Sequence, residues 1–123
     1  MATNKPLEFS YNWNNKLSCK AFTTLRLSDR FNIGDKVEVY LLLRKLGTAD
    51  VVNKIKIQFG KISDTVAYLD TGYNAAECRN ILQRMYKNMA MTNLTTIYLY
   101  VLVYKEKEPD PAVQGNLFDS SSY

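Results

Sequence analysis

Three side chains early in the sequence have types and spacing suited to chemistry. Thr24 and Arg26 lie two residues apart in the run AFTTLRL at 21–27, and Lys20 directly precedes that run. Residues two apart in an extended chain share a face, so Phe22, Thr24 and Arg26 project one way and Thr23, Leu25 and Leu27 the other. Arginine offers five donors in a planar fork that matches a phosphate or a base edge, and a threonine hydroxyl beside it donates or accepts. Lys20 would add a cation just before them. Trp13 or Tyr73 would supply a ring on which a base stacks, a sequence-tolerant contact worth about 1–3 kcal/mol. A structural reading stands beside this one: threonine favours strands for its own sake, and Arg26 can pair with Asp35 or Asp70.

The chain contains no histidine. Serine-histidine and cysteine-histidine nucleophile systems and histidine metal ligation are therefore excluded, and any catalysis must rest on lysine, threonine, tyrosine or carboxylates. Cys19 and Cys78 are far apart and form no CxxC pair, so neither a zinc site nor a disulfide framework is expected. No metal and no cofactor is expected. Unpaired cysteines fit a reduced, cytoplasmic setting. The start, MATNKPLEFS, lacks the apolar core of a signal peptide, and the greasy run IYLYVLVY at 97–104 is too short to span a bilayer, so a soluble protein without membrane contact is expected.

These residues need elements to hold them. LEFSY at 7–11 alternates and can begin a strand, NWNNKLS at 12–18 is rich in turn-forming Asn, and AFTTLRL reads as strand. NIGDK at 32–36 reads as a turn, VEVYLLLRK at 37–45 as a strand, and LGTAD at 46–50 as a second turn. VVNKIKIQF at 51–59 places Ile55, Ile57 and Phe59 opposite Lys54, Lys56 and Gln58, a half-buried strand with a basic outer side. The best helix begins near Asn74, where Ala76, Ile81, Leu82, Met85, Tyr86 and Met89 recur at helical spacing. Asn74 with Glu77 fits a capping box, which competes with any catalytic role for that carboxylate. The last strand, TTIYLYVLVY at 95–104, sets Ile97, Leu99, Val101 and Val103 against Tyr98, Tyr100 and Tyr104. Those tyrosines either pack under the helix or present a stacking platform.

Strands without long intervening helices, followed by one or two late helices, predict an α+β domain on a small, mainly antiparallel β-barrel or sheet. Residues 1–104 form that domain. Residues 105–123, KEKEPDPAVQGNLFDSSSY, read as a flexible acidic tail. The domain carries 14 basic against 8 acidic side chains and the tail 2 against 4, a balance suited to a polyanionic partner.

The order of features resembles the ASCH family of the PUA-like superfamily of small β-barrels. The resemblance rests on Thr24-Leu25-Arg26, on Gly34-Asp35 before KVEV, and on YLDTGYNAAECRNILQRMY before IYLYVLVY, and it spans roughly residues 7–104. It implies a cleft at the barrel mouth that accepts a nucleobase, nucleotide or RNA segment, lined here by Lys20, Thr24, Arg26 and Tyr73. Some small ASCH enzymes are amidohydrolases of acylated cytidine that use a lysine, a threonine and a glutamate. The nearest equivalents here are Lys20, Thr24 and Glu77, with the lysine activating a hydroxyl or water and the carboxylate shuttling the proton. The family's lysine stands three residues before the threonine, where this chain has Ala21. Lys20 is one place off and leaves the strand on the opposite face unless a bulge intervenes.

In the tail, QGNLF at 114–118 sets Gln114 three residues before Leu117 and Phe118, two large apolar residues in a polar stretch. The spacing resembles the short motif by which replication and repair proteins bind the bacterial sliding clamp. It implies a tether to that machinery in a bacterium or its phage. Folding of Leu117 and Phe118 back onto the domain is the alternative.

Overall fold

The structure, a computed structural model, describes residues 4–108. Gln114, Leu117 and Phe118 lie outside the described residues. Over the described residues the architecture is α+β: five strands in one mostly antiparallel sheet, two α-helices and two short 3₁₀ segments. The strands are β1 (Lys5–Phe9), β2 (Ala21–Arg26), β3 (Lys36–Leu41), β4 (Arg44–Gln58) and β5 (Thr96–Lys107), in the order β1-β3-β4-β5-β2. Only β1 and β3 run parallel. No helix among the described residues is long and apolar enough to cross a membrane.

The hydrogen-bonded sheet is open, with β1 and β2 as its two edges. Four interstrand steps would hold those edges about 19 Å apart in a flat sheet. Instead the Phe9 and Phe22 rings meet at 6.1 Å, and Arg26 Nη2 donates to the Glu8 carbonyl at 2.8 Å. The sheet therefore curls until its edges face each other across a seam closed by side chains. The curl encloses one core, including Leu7, Phe22, Val39, Val51, Tyr100, Leu102 and Tyr104. The opposite face of the β2/β5 region carries Leu25, Ile97 and Leu99 and is covered by α1 (Asp64–Thr71) and α2 (Ala75–Met85).

Several local expectations change here. LGTAD at 46–50 is not a turn but part of β4, and the chain reverses at Leu42-Leu43, with Leu42 at φ 58°. The misleading signal was Gly47: a Cβ there would lie 2.2 Å from the Glu106 carbonyl oxygen, so the glycine permits a close strand approach beside a bulge. Tyr100 and Tyr104 pack inside the curl and away from the helices. Their hydroxyls donate to the carbonyls of Ser28 and Leu17, so they form no open platform. Ile55 is 42 % exposed, because the helices reach only part of the long β4. Lys54 lies over the Tyr98 ring and pairs with Asp29, so this lysine is already committed. The Gly34-Asp35 turn is structural: Gly34 takes φ 96°, and Asp35 Oδ2 accepts from Asn32 N and Lys5 Nζ.

Candidate functional site

At the seam between β1 and β2, a cleft of about 410 Å³ opens beneath α1 and α2. A cavity of this size accommodates a small organic ligand. Its polar residues include Lys16, Thr24, Arg26 and Asp70. Trp13, Phe9, Leu42, Leu43, Ile81 and Met85 supply much of the apolar wall.

Edge strand β2 delivers Thr24 and Arg26 to one face, as alternation requires. Arg26 Nε donates to Thr24 Oγ1 at 2.9 Å, and the guanidinium lies 4.6 Å from the centre of the Phe9 ring. With Nη2 bonded to Glu8, three of the five donors of Arg26 have no acceptor among the described residues. No buried side-chain nitrogen or oxygen there lacks a partner, so Arg26 Nη1, which makes no hydrogen bond with the described residues, is accessible. Thr24 Oγ1 accepts from Arg26 and donates to no described residue, which leaves its own proton for a ligand. Burial lowers the Arg26 pKa, with Tyr86 and Asp70 opposing the shift. An arginine still stays charged.

The second polar pair comes from elsewhere in the chain. The 3₁₀ segment Trp13–Ser18 carries Asn14 and Asn15 at φ 58° and 53°, a left-handed geometry that asparagine tolerates. Asn12 Oδ1 accepts from Leu17 N and holds the loop from within. Its outer side meets the end of α1, where Asn14 Nδ2 donates to the Tyr68 carbonyl and Gly72 caps the helix at φ 83°. This packing turns Lys16 inward. Its ammonium, 5.4 Å from the Phe9 ring centre, bonds Asp70 Oδ1 at 2.8 Å with both side chains only 6 % exposed. Thr23 Oγ1 donates to the same Asp70 oxygen at 2.9 Å. Burial pushes the Lys16 pKa below its ordinary value, and Asp70 only partly offsets that push.

Lys16 and Asp70 are the residues that reading the sequence for function missed. A lysine in an asparagine-rich turn looks solvent-bound, and nothing local marks Lys16. Asp70 carried a readable signal: an acid in the last turn of a helix opposes the helix dipole and needs a compensating partner.

Of the residues expected from sequence, Thr24 and Arg26 meet in the cleft. Lys20 is exposed and does not line it. Glu77 completes the capping box of α2, accepting from Asn74 N at 3.3 Å while Asn74 Oδ1 accepts from Glu77 N at 2.9 Å. Tyr73 stands beside the cleft, its ring edge-on to Trp13 at 6.2 Å. Asp35 and Asp70 pair with lysines, leaving Arg26 outside their ion pairs. Among the described residues no group of three or more acidic or cysteine side chains could hold a metal ion. Comparison with family models, curated proteins and solved structures finds no match to this chain.

Proposed function

We propose that the chain is an ASCH-like, PUA-like module whose seam cleft binds a nucleobase presented by a nucleoside, nucleotide or RNA. The observation that carries this reading is the convergence of Thr24, Arg26, Lys16 and Asp70 on one cleft with a tryptophan in its wall. Arg26 and Lys16 offer donors and Asp70 offers an acceptor. Together they complement a base edge that carries both a carbonyl and an amino group, as cytosine and guanine do. Trp13 and the aliphatic wall take the flat faces. The curled sheet, with Thr-x-Arg on the strand beside the seam, supports placing the chain near the PUA-like barrels. The test is calorimetric titration with nucleosides and with short single-stranded RNA. Arg26→Ala should weaken both, and RNA binding should fall steeply with salt as counterions are released. Equal affinities for wild type and variant refute the assignment.

One observation favours a second reading, amidohydrolysis of an N4-acylated cytidine. Lys16 is buried in the cleft with its pKa lowered, which makes the neutral, proton-accepting amine easier to reach than in an exposed lysine. It takes the place first expected of Lys20. Thr24, whose oxygen accepts a hydrogen bond from a cationic donor, is the matching hydroxyl. Loss of N4-acetylcytidine absorbance that disappears in Thr24→Ala would support hydrolysis, and no turnover by the folded protein would remove it.

The tail reading is tested separately, by titrating a 109–123 peptide against a bacterial sliding clamp with a Leu117→Ala, Phe118→Ala control. Indistinguishable signals from the two peptides end it. A cytoplasmic setting suits all of these partners.

A further inference from the structure

A second depression of about 270 Å³ adjoins the cleft and shares Trp13 and Ile81 with it. Tyr73, Glu77, Asn80 and Arg84 form the rest of its lining. Glu77, Asn80, Ile81 and Arg84 are spaced three, four and seven residues from the first, so they form one stripe along α2. Tyr73 is 46 % exposed and meets Trp13 in a T-shaped contact with ring centroids 6.2 Å apart, so a substantial part of its ring is accessible to a base. Arg84 is exposed and makes no ion pair or hydrogen bond with the described residues. The Glu77 carboxylate is drawn into the helix cap, about 10 Å along the axis from Arg84. A phosphate is therefore favoured at the Arg84 end of the stripe.

We infer that the cleft's ligand is a single-stranded oligonucleotide, and that this groove holds the neighbouring nucleotide, its base on Tyr73 and its phosphate at Arg84. The inference rests on the reading of the cleft as a nucleobase site, and it makes a chain of at least two nucleotides the preferred ligand over a free nucleoside. Stacking on one ring is sequence-tolerant, so selectivity stays in the cleft while the groove adds affinity.

The experiment is calorimetric titration of the full chain with the four ribonucleosides and with their homodinucleotides in ribose and deoxyribose form. The expected result is at least tenfold tighter binding of one dinucleotide than of its nucleoside. Arg84→Gln should remove most of that advantage and leave nucleoside affinity within twofold, and Tyr73→Ala should also remove most of it, while Tyr73→Phe keeps it. Whichever sugar series shows the gain identifies RNA or DNA as the source. Equal affinity for nucleoside and dinucleotide, or an advantage that survives both substitutions, overturns the inference and leaves the cleft reading standing. Absence of binding by every nucleoside and dinucleotide overturns both.

Discussion

At the scale of single residues, the cleft contains an ion pair that stability alone does not explain. Lys16 and Asp70 are both withdrawn from water, and the desolvation of such a pair often equals or exceeds its attraction. Lys16→Met alone should cost about 3–5 kcal/mol in urea denaturation because it leaves a buried carboxylate unpaired. Lys16→Met with Asp70→Leu should recover most of that stability and still lose ligand binding. A single variant as stable as wild type would contradict the buried pair. The sign of the pH dependence follows from the lowered Lys16 pKa. Between that lowered value and 10.5 the unfolded chain binds more protons, so this group makes stability rise with pH over that window. Cys78 acts in the opposite sense: burial pushes its thiol up to about 11 from 9.0, so its contribution is lost as pH climbs between those values. Replacing Cys78 with Ala should flatten the fall in stability above pH 9, and an unchanged profile would contradict this assignment. Glu77 offers a sharper separation of roles. Glu77→Gln keeps a side chain able to cap α2 and should leave melting, binding and any turnover near wild type. A large loss of turnover without loss of stability would make Glu77 catalytic after all.

At the scale of elements, the site depends on a junction between the Trp13–Ser18 loop and the end of α1. Gly72 takes a left-handed φ, and a Cβ there would meet Asn14 at 3.1 Å. Gly72→Ala should therefore cost about 1–2 kcal/mol and also weaken ligand binding, because the same loop carries Trp13 and Lys16. Destabilisation with unchanged affinity would show that the loop is positioned by something else. The sequence made part of this frame readable. Alternation placed Thr24 beside Arg26, and Asn74 with Glu77 marked the start of α2 within one residue. It did not reveal α1, whose eight residues are too short and too weakly amphipathic to stand out. It also mistook the bulge at Gly47 for a turn, since Leu42-Leu43 has none of the usual turn residues. Lys16 was hidden for a nonlocal reason: its partner Asp70 lies 54 residues along the chain, and the loop that turns it inward is held by the bond from Asn14 to the Tyr68 carbonyl.

At the scale of the whole molecule, two cores on opposite faces of one sheet leave the seam between its edges as the place where a ligand can meet backbone, charge and aromatic surface together. The same packing fixes the fate of the two cysteines. A thiol reagent at neutral pH should label the exposed Cys19 and spare the fully buried Cys78 until denaturant is added. Rapid labelling of both in the folded protein would mean that α2 does not cover the sheet as described. The most direct test of the central claim uses Trp13, the single tryptophan of the chain and part of the cleft wall. Its emission is followed while the four ribonucleosides and N4-acetylcytidine are titrated into wild type and Arg26→Ala. The proposed nucleobase site predicts a saturable change with at least one of them, shifted tenfold to a hundredfold to weaker binding in the variant, the scale of losing charge-assisted hydrogen bonds worth about 1.5–3 kcal/mol. No saturable change with any of the five, or identical curves for the two proteins, would contradict a nucleobase site in the seam.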